Sequence, residues 1–238
     1  AIVKMLFGGT GKNLVNPAAA ARVFMLLSFT VSMNVYVAAN FGPIMSDSTV
    51  ITTGATNFSG FLAVGEGNAI NPVDLLLGSG VAGCIGETCG LAIILGYIYL
   101  SVRKVIKWWQ PLLFIAVFGI TATLMSGFAG DADKLTGYYA NGYIFDISLF
   151  LPHILSGGVL FAAVFMFPDY VTSPKGVWGQ VVYYVAGAIL VALLRHFTQK
   201  EVASFVIMLM NLIVPLIDRY IRRKPFGYKR EKRVKEGK

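Results

Sequence analysis

The sequence is short of charge. Only 13% of its 238 residues are Asp, Glu, Lys or Arg, about half the share usual in a soluble domain. Together with 56% apolar residues and a mean hydropathy of +0.68, that scarcity excludes a disordered chain and argues against a water-soluble enzyme. Two histidines and two cysteines leave little material for a metal centre. Cys84 and Cys89 stand in a C-x4-C spacing that suits zinc poorly. They read as small buried thiols, with a cluster shared with a partner subunit as the alternative. Basic residues are also sparse over most of the chain. Residues 219–238 hold ten Lys and Arg against Glu231 and Glu236, so the net charge of +8 lies in a C-terminal tail. A nucleic-acid surface would interleave basic and aromatic residues over a wider face. The expected neighbour of the tail is therefore anionic lipid, and no nucleic-acid partner is expected. No apolar leader of the cleavable kind opens the sequence.

What the sequence does have is long apolar runs. Six approach the roughly 20 residues needed to cross a bilayer: Pro17–Ala39, Val81–Val102, Pro111–Phe128, Ile147–Phe167, Val177–Leu194 and Ala203–Ile221. Glu87 and several glycines interrupt the second, which reads as a broken or re-entrant helix. Residues 40–80 contain no Lys or Arg, whereas Arg103, Lys104 and Lys107 follow the second run. The positive-inside rule then puts that turn and the tail in the cytoplasm and residues 40–80 outside. Trp108 and Trp109 mark a cytoplasmic boundary. Arg195, Lys200 and Glu201 sit mildly against this scheme. The expected architecture is an all-α polytopic membrane bundle over residues 1–221, with an outer loop at about 40–80 and a basic cytoplasmic tail over 222–238.

Four blocks could carry chemistry. Phe7-Gly8-Gly9-Thr10-Gly11-Lys12-Asn13 invites a phosphate-loop reading, but Leu6 stands where that loop needs its first Gly and Asn13 where it needs Ser or Thr. What remains is a close-approach turn followed by Asn13 and Asn16, with Pro17 at a helix start. The asparagines can hold a polar ring, or Asn16 can cap the helix. Ser46 to Asn57 forms a hydroxyl-rich loop on the expected outer face, otherwise an ordinary turn. In Gly78 to Thr88, Glu87 lies at the mouth of an apolar run, where a carboxylate is expensive unless it serves cation handling or hydrogen bonding. Ser156-Gly157-Gly158 leads to Pro168-Asp169-Tyr170-Val171-Thr172-Ser173-Pro174, where Asp169 binds something or closes a turn. His153 and His196 read as interfacial.

Taken in order, the Gly-Gly-Thr-Gly-Lys-Asn block, the Gly-Ala-Thr loop, Ile-Gly-Glu-Thr, Ser-Gly-Gly and Asp-x-Val-Thr-Ser-Pro resemble one family. It comprises the D subunits of Rnf ion-translocating complexes and the B subunits of the Na+-translocating NADH:quinone reductase. The resemblance implies FMN joined by a phosphoester to Thr56, within the motif Thr53-Gly54-Ala55-Thr56, and installed by a separate flavin transferase. Thr53 stands where serine is common. The resemblance also implies riboflavin near Asn13 and Asn16, and further helices, so that this chain forms the larger part of an internally repeated fold of about ten helices.

The Asp-x-Val-Thr-Ser-Pro turn, the short loop before Thr56 and the Asp218-Arg219-Tyr220 tail favour the Rnf branch. That branch implies a subunit of the prokaryotic cytoplasmic (inner) membrane, working with other membrane and peripheral subunits. It relays electrons between ferredoxin and NAD, coupled to Na+ or H+ movement, and is not catalytic alone. Glu87 and Asp169 are the candidates for ion coupling, and no residue suggests a general base, a nucleophile or a nicotinamide site. The rivals are the quinone-reductase branch and, from another class, a solute or ion transporter without flavin. A structural subunit without any cofactor is the plainest reading.

Overall fold

The computed structural model describes residues 2–5, 12–33, 36–37, 53–54, 72–78, 84, 86–128, 150–198 and 201–221. Ala55, Thr56, most of the 40–80 loop and the tail from 222 lie outside the described residues.

Helix α1 (Ile2–Met5) precedes α2 (Pro17–Ser28). Asn16 starts α2: its Oδ1 accepts from the Ala18 and Ala19 N–H groups at 3.0 and 3.4 Å, and Pro17 needs no partner in the first turn. The first expected span, Pro17–Ala39, is not one helix. It breaks at Phe29, whose φ of −128° and ψ of 49° leave the helical region, and resumes only as α3 (Thr30–Met33). A pair of two-residue strands follows, β1 (Tyr36–Val37) and β2 (Thr53–Gly54), antiparallel with Tyr36 opposite Gly54 and Val37 opposite Thr53. This pairing involves four residues only, and the architecture of the described residues is otherwise helical as expected. Helix α4 (Pro72–Leu77) leads to α5 (Gly90–Val102). The second span is broken as expected: Gly86 holds φ at +91° and helix begins only at Gly90.

Helix α6 (Trp109–Phe128) is continuous. The fourth expected span, Ile147–Phe167, is another correction. It is divided into α7 (Phe150–Leu155), a turn through Ser156-Gly157-Gly158, α8 (Val159–Phe161) and a π-helical segment over Ala162–Met166. Two glycines, one with φ at +69°, cannot sustain a helix there. Helices α9 (Val177–Thr198) and α10 (Ala203–Tyr220) follow, and both are long and apolar enough to cross a membrane.

The core forms where α6, α9, α10 and the π segment meet. Phe114, Phe118, Phe167, Tyr183 and Tyr184 are fully buried there, with Phe167 4.4 Å from Phe114 and 5.6 Å from Tyr183 between ring centroids. Gly187 lets the Phe167 ring lie against α9, since a Cβ there would stand 2.6 Å from the ring. Such small residues let helices approach closely. Tyr183 Oη donates to Asn211 Oδ1 at 2.9 Å, joining α9 to α10 through the core. The outer surface is apolar: Phe24, Leu27, Leu95, Ile98, Leu112, Ile120, Val182 and Leu216 are exposed.

One end of the bundle is polar. Lys107 Nζ donates to Gln180 Oε1 at 2.8 Å, Gln180 Nε2 donates to Pro174 O at 2.9 Å, and the Lys175 N–H donates to Asp218 Oδ1 at 3.3 Å. The turn after α5, the start of α9 and the end of α10 therefore share that end. Exposed Trp108, Tyr170, Trp178 and Tyr220 surround it.

Candidate functional site

The densest chemistry lies at the other end of α9 and α10, around Ser156-Gly157-Gly158. Four ionisable side chains from separate parts of the chain meet that turn. Arg22 comes from α2, Glu87 from the stretch before α5, Arg195 from the last turn of α9, and Glu201 from the connection to α10. Arg22 Nη1 stands 3.7 Å from Glu87 Oε2, and Arg195 Nη2 stands 3.6 Å from Glu201 Oε1. The two carboxylates and two guanidinium groups cancel in charge. Three of the four side chains are at least nine-tenths buried; Arg22 keeps 24% of its side-chain surface exposed.

Each charge is fixed by further bonds. Glu87 Oε1 accepts from the Cys84 N–H at 2.8 Å, and the Glu87 N–H donates back to Cys84 O at 3.1 Å. Arg22 Nη2 lies 3.3 Å from Cys84 Sγ. Arg195 reaches His153 O at 3.0 Å and both Ser156 O and Ser156 Oγ at 2.8 Å, and its guanidinium lies 5.7 Å from the Phe118 ring centroid. Glu201 Oε2 accepts from the Gly158 N–H at 3.1 Å. Among the described residues Glu201 Oε1 has no hydrogen-bond partner. Burial pushes the Glu201 carboxyl above its ordinary range, and Arg195 pulls it back.

The two glycines exist for these carboxylates. A Cβ on Gly157 would fall on Glu201 Oε1, and one on Gly158 would stand 2.6 Å from Glu87 Oε2. The Ser-Gly-Gly motif is thus a cradle with an acid on either side and an arginine braced by its serine.

The residues singled out in the sequence do not all gather here. Glu87 does. Asp169 does not: its Oδ1 accepts from the Val171 N–H at 3.2 Å and its Oδ2 from Thr172 Oγ1 at 3.2 Å, closing the turn before α9. Asn16 caps α2, whereas Asn13 Oδ1 is buried with no hydrogen-bond partner among the described residues. That orphaned acceptor fits a polar ligand with an N–H to give. Thr53 and Gly54 lie in β2, which holds the backbone two residues short of Thr56. Cys84 and Cys89 are free thiols, and among the described residues no three potential metal ligands come together. Sequence reasoning missed Arg22, Arg195 and Glu201 as site residues. The signal was present: Arg195 and Glu201 disagreed with the positive-inside pattern because they are a buried pair where α9 meets the connection to α10, not solvated charges.

The sequence model for the NQR2, RnfD, RnfE family matches residues 1–227. The chain is similar to the D subunit of the Na(+)-translocating ferredoxin:NAD(+) oxidoreductase complex of Acetobacterium woodii, 33% identical over 230 residues, covering 95% of this chain and 63% of that protein. It is similar to the D subunit of the ion-translocating oxidoreductase complex of Halorhodospira halophila, 33% identical over 249 residues, covering 94% and 66%. It is also similar to the D subunit of the proton-translocating ferredoxin:NAD(+) oxidoreductase complex of Clostridium ljungdahlii, 29% identical over 234 residues, covering 97% and 66%. The chain spans a little under two thirds of the length of these relatives.

Proposed function

Since this chain belongs to the NQR2, RnfD, RnfE family, we propose that it is a membrane subunit of an Rnf-type ion-translocating oxidoreductase, passing electrons between ferredoxin and NAD+ while an ion crosses the membrane. The observation that carries this reading is similarity to D subunits along at least 94% of the chain. One such relative is named for Na+ and another for protons, so both ions are within reach of the family, and the ion carried here is left as either.

In this reading Thr56 carries FMN through a phosphoester bond, and a flavin transferase makes that bond. FMN supplies the redox chemistry when bound. The chain supplies position: Thr53 and Gly54 pair with Val37 and Tyr36 immediately before Ala55 and Thr56 in sequence, which supports an anchored start to that loop. Asn13, with its buried unpaired Oδ1, is the stronger of the two asparagines for riboflavin, because the Asn16 oxygen is engaged as a cap. Residues 1–221 form the membrane domain, with six crossings, some of them broken, inside a larger repeated fold of the inner membrane. The loop at 40–80 faces outward and the tail over 222–238 faces the cytoplasm. The shared polar end of α5, α9 and α10 supports that orientation, because Arg103, Lys104 and Lys107 stand at the end from which the tail departs. Glu87 and Asp169 remain the proposed ion-coupling carboxylates, and the other complex subunits provide the ferredoxin and NAD sites.

The buried Arg–Glu pairs favour a second reading, a solute or ion transporter without flavin. Covalent flavin separates the two. A fluorescent band for this chain after denaturing electrophoresis, lost in Thr56→Ala, with esterified FMN in the mass of the Thr56 peptide, establishes the first. A dark band from a native source that has the transferase overturns it in favour of the second.

A further inference from the structure

We propose that the Ser156-Gly157-Gly158 cradle is a proton-binding site, in which Glu201 gains and loses the proton and Arg195 is the fixed counter-charge. The inference rests on the membrane reading above, but not on the flavin at Thr56.

Three observations carry it. First, the Glu201 side chain is more than nine-tenths buried, yet among the described residues its Oε1 has no hydrogen-bond partner and meets its guanidinium only at 3.6 Å. A well-made N–H···O bond between charged groups closes to about 2.7–2.9 Å. Second, Arg195 is already held by three oxygens, His153 O, Ser156 O and Ser156 Oγ, so its position does not depend on an ionised Glu201. Third, the bare Gly157 Cα faces Glu201 Oε1 where any side chain would displace it. The turn keeps a place for a carboxyl group that is not fully bonded.

The step is simple in balance. Glu201 carboxylate takes one proton from hydronium: the carboxylic acid O–H bond forms as one hydronium O–H bond breaks, a water molecule leaves, and no electron moves. The groups facing Glu201 set its equilibrium. Arg195 on α9 and Arg22 on α2 favour the ionised form, and Glu87 before α5 opposes it. The Gly158 N–H bonds Glu201 directly and also favours the ionised form, while Cys84 and the His153 carbonyl bond its neighbours Glu87 and Arg195. A sodium ion fits less well, since it requires several oxygens free of cations, and both carboxylates here already have arginine partners. The cradle also lies at the start of α10, whereas the basic tail leaves its end. Eighteen helical residues separate them, about 27 Å at 1.5 Å per residue. Protonation thus occurs near the bundle end opposite the tail.

The experiment is infrared difference spectroscopy of the purified complex in lipid, titrated with acid. The expected result is a protonated-carboxyl band that appears on acidification in the wild type, vanishes in Glu201→Gln and persists in Glu87→Gln. Should Glu201→Gln fail to assemble, Glu201→Asp decides: a displaced titration midpoint supports the site, and an unmoved one overturns it. A band unchanged in Glu201→Gln, or the absence of any titrating carboxyl in the wild type, also overturns it. Flavin loss from Thr56→Ala is read separately, so the two proposals fail independently.

Discussion

Gly157 and Glu201 occupy complementary space: the carboxylate lies where a Gly157 side chain would be, and Gly157 holds φ at +69°. Gly157→Ala therefore carries two penalties. The left-handed backbone alone costs roughly 1–2 kcal/mol for an L-residue, and the displaced carboxylate adds to it. The double variant Gly157→Ala/Glu201→Ala removes the collision but keeps the strain, so the two substitutions should be less than additive in thermal unfolding of the solubilised protein. Strict additivity would sink this account of the glycine.

Arg195 binds Glu201 and three further oxygens in a buried site. Removing one partner of such a pair typically costs about 3–5 kcal/mol, so Arg195→Ala should severely reduce assembled protein. Arg195→Lys should also be impaired, because a single ammonium cannot reproduce the fork across His153 O and Ser156. Wild-type stability in the lysine variant would contradict this geometry.

The two asparagines should separate. Asn16→Ala removes the α2 cap and should cost about 1 kcal/mol, read as a lowered unfolding temperature. Asn13→Leu removes no described hydrogen bond. It should leave stability nearly unchanged and lower the acid-released, non-covalent flavin. Equal flavin loss in both variants would refute the division of roles.

Tyr183 and Asn211 form a buried pair at 2.9 Å. Tyr183→Phe leaves Asn211 Oδ1 in the core without its donor, at a cost of about 1–3 kcal/mol. Replacing both, as Tyr183→Phe/Asn211→Leu, should recover part of that loss. A double variant no better than the single would show that the pair is not the cause.

Glu201 also makes stability depend on pH with an unusual sign. Burial raises its folded-state pKa, so the unfolded chain releases this proton first as pH rises. The group's contribution is complete below the ordinary carboxylate pKa and is lost as pH climbs through the raised value. The unfolding temperature of wild type minus that of Glu201→Gln should accordingly fall from acid to neutral pH. A difference that grows over that range would reverse the assignment.

Hydropathy made the long helices legible. Val177–Thr198 and Ala203–Tyr220 lie within a few residues of the expected runs, because continuous apolar sequence leaves a bundle helix few alternatives. Local capping was legible too: Asn16 before Pro17 behaves as its residue type predicts. The breaks were harder to read. Phe29 interrupts an apolar run that contains neither glycine nor proline at that point, and only its surroundings end the helix there. The ionic cradle was read in fragments. Glu87 was visible as a costly carboxylate, whereas Arg195 and Glu201 looked like loop charges because the turn that holds them, Ser156 to Gly158, lies 39 to 43 residues away in sequence. Sequence spacing cannot show a pairing made by tertiary packing.

The π segment has a mechanical meaning. The Phe167 N–H reaches back five residues to Ala162 O at 2.9 Å, so this stretch holds one residue more than an α-helix would use. That surplus is a phase adjustment between two fixed points, the glycine pair upstream and the Phe167 ring downstream. It turns Phe165 outward onto Gly96 and Phe167 inward among Phe114, Tyr183 and Tyr184. Removing one alanine would restore an ordinary helix and swing everything beyond it by about 100°. The charged turn and the aromatic core are each in register only because the chain between them is wound loosely.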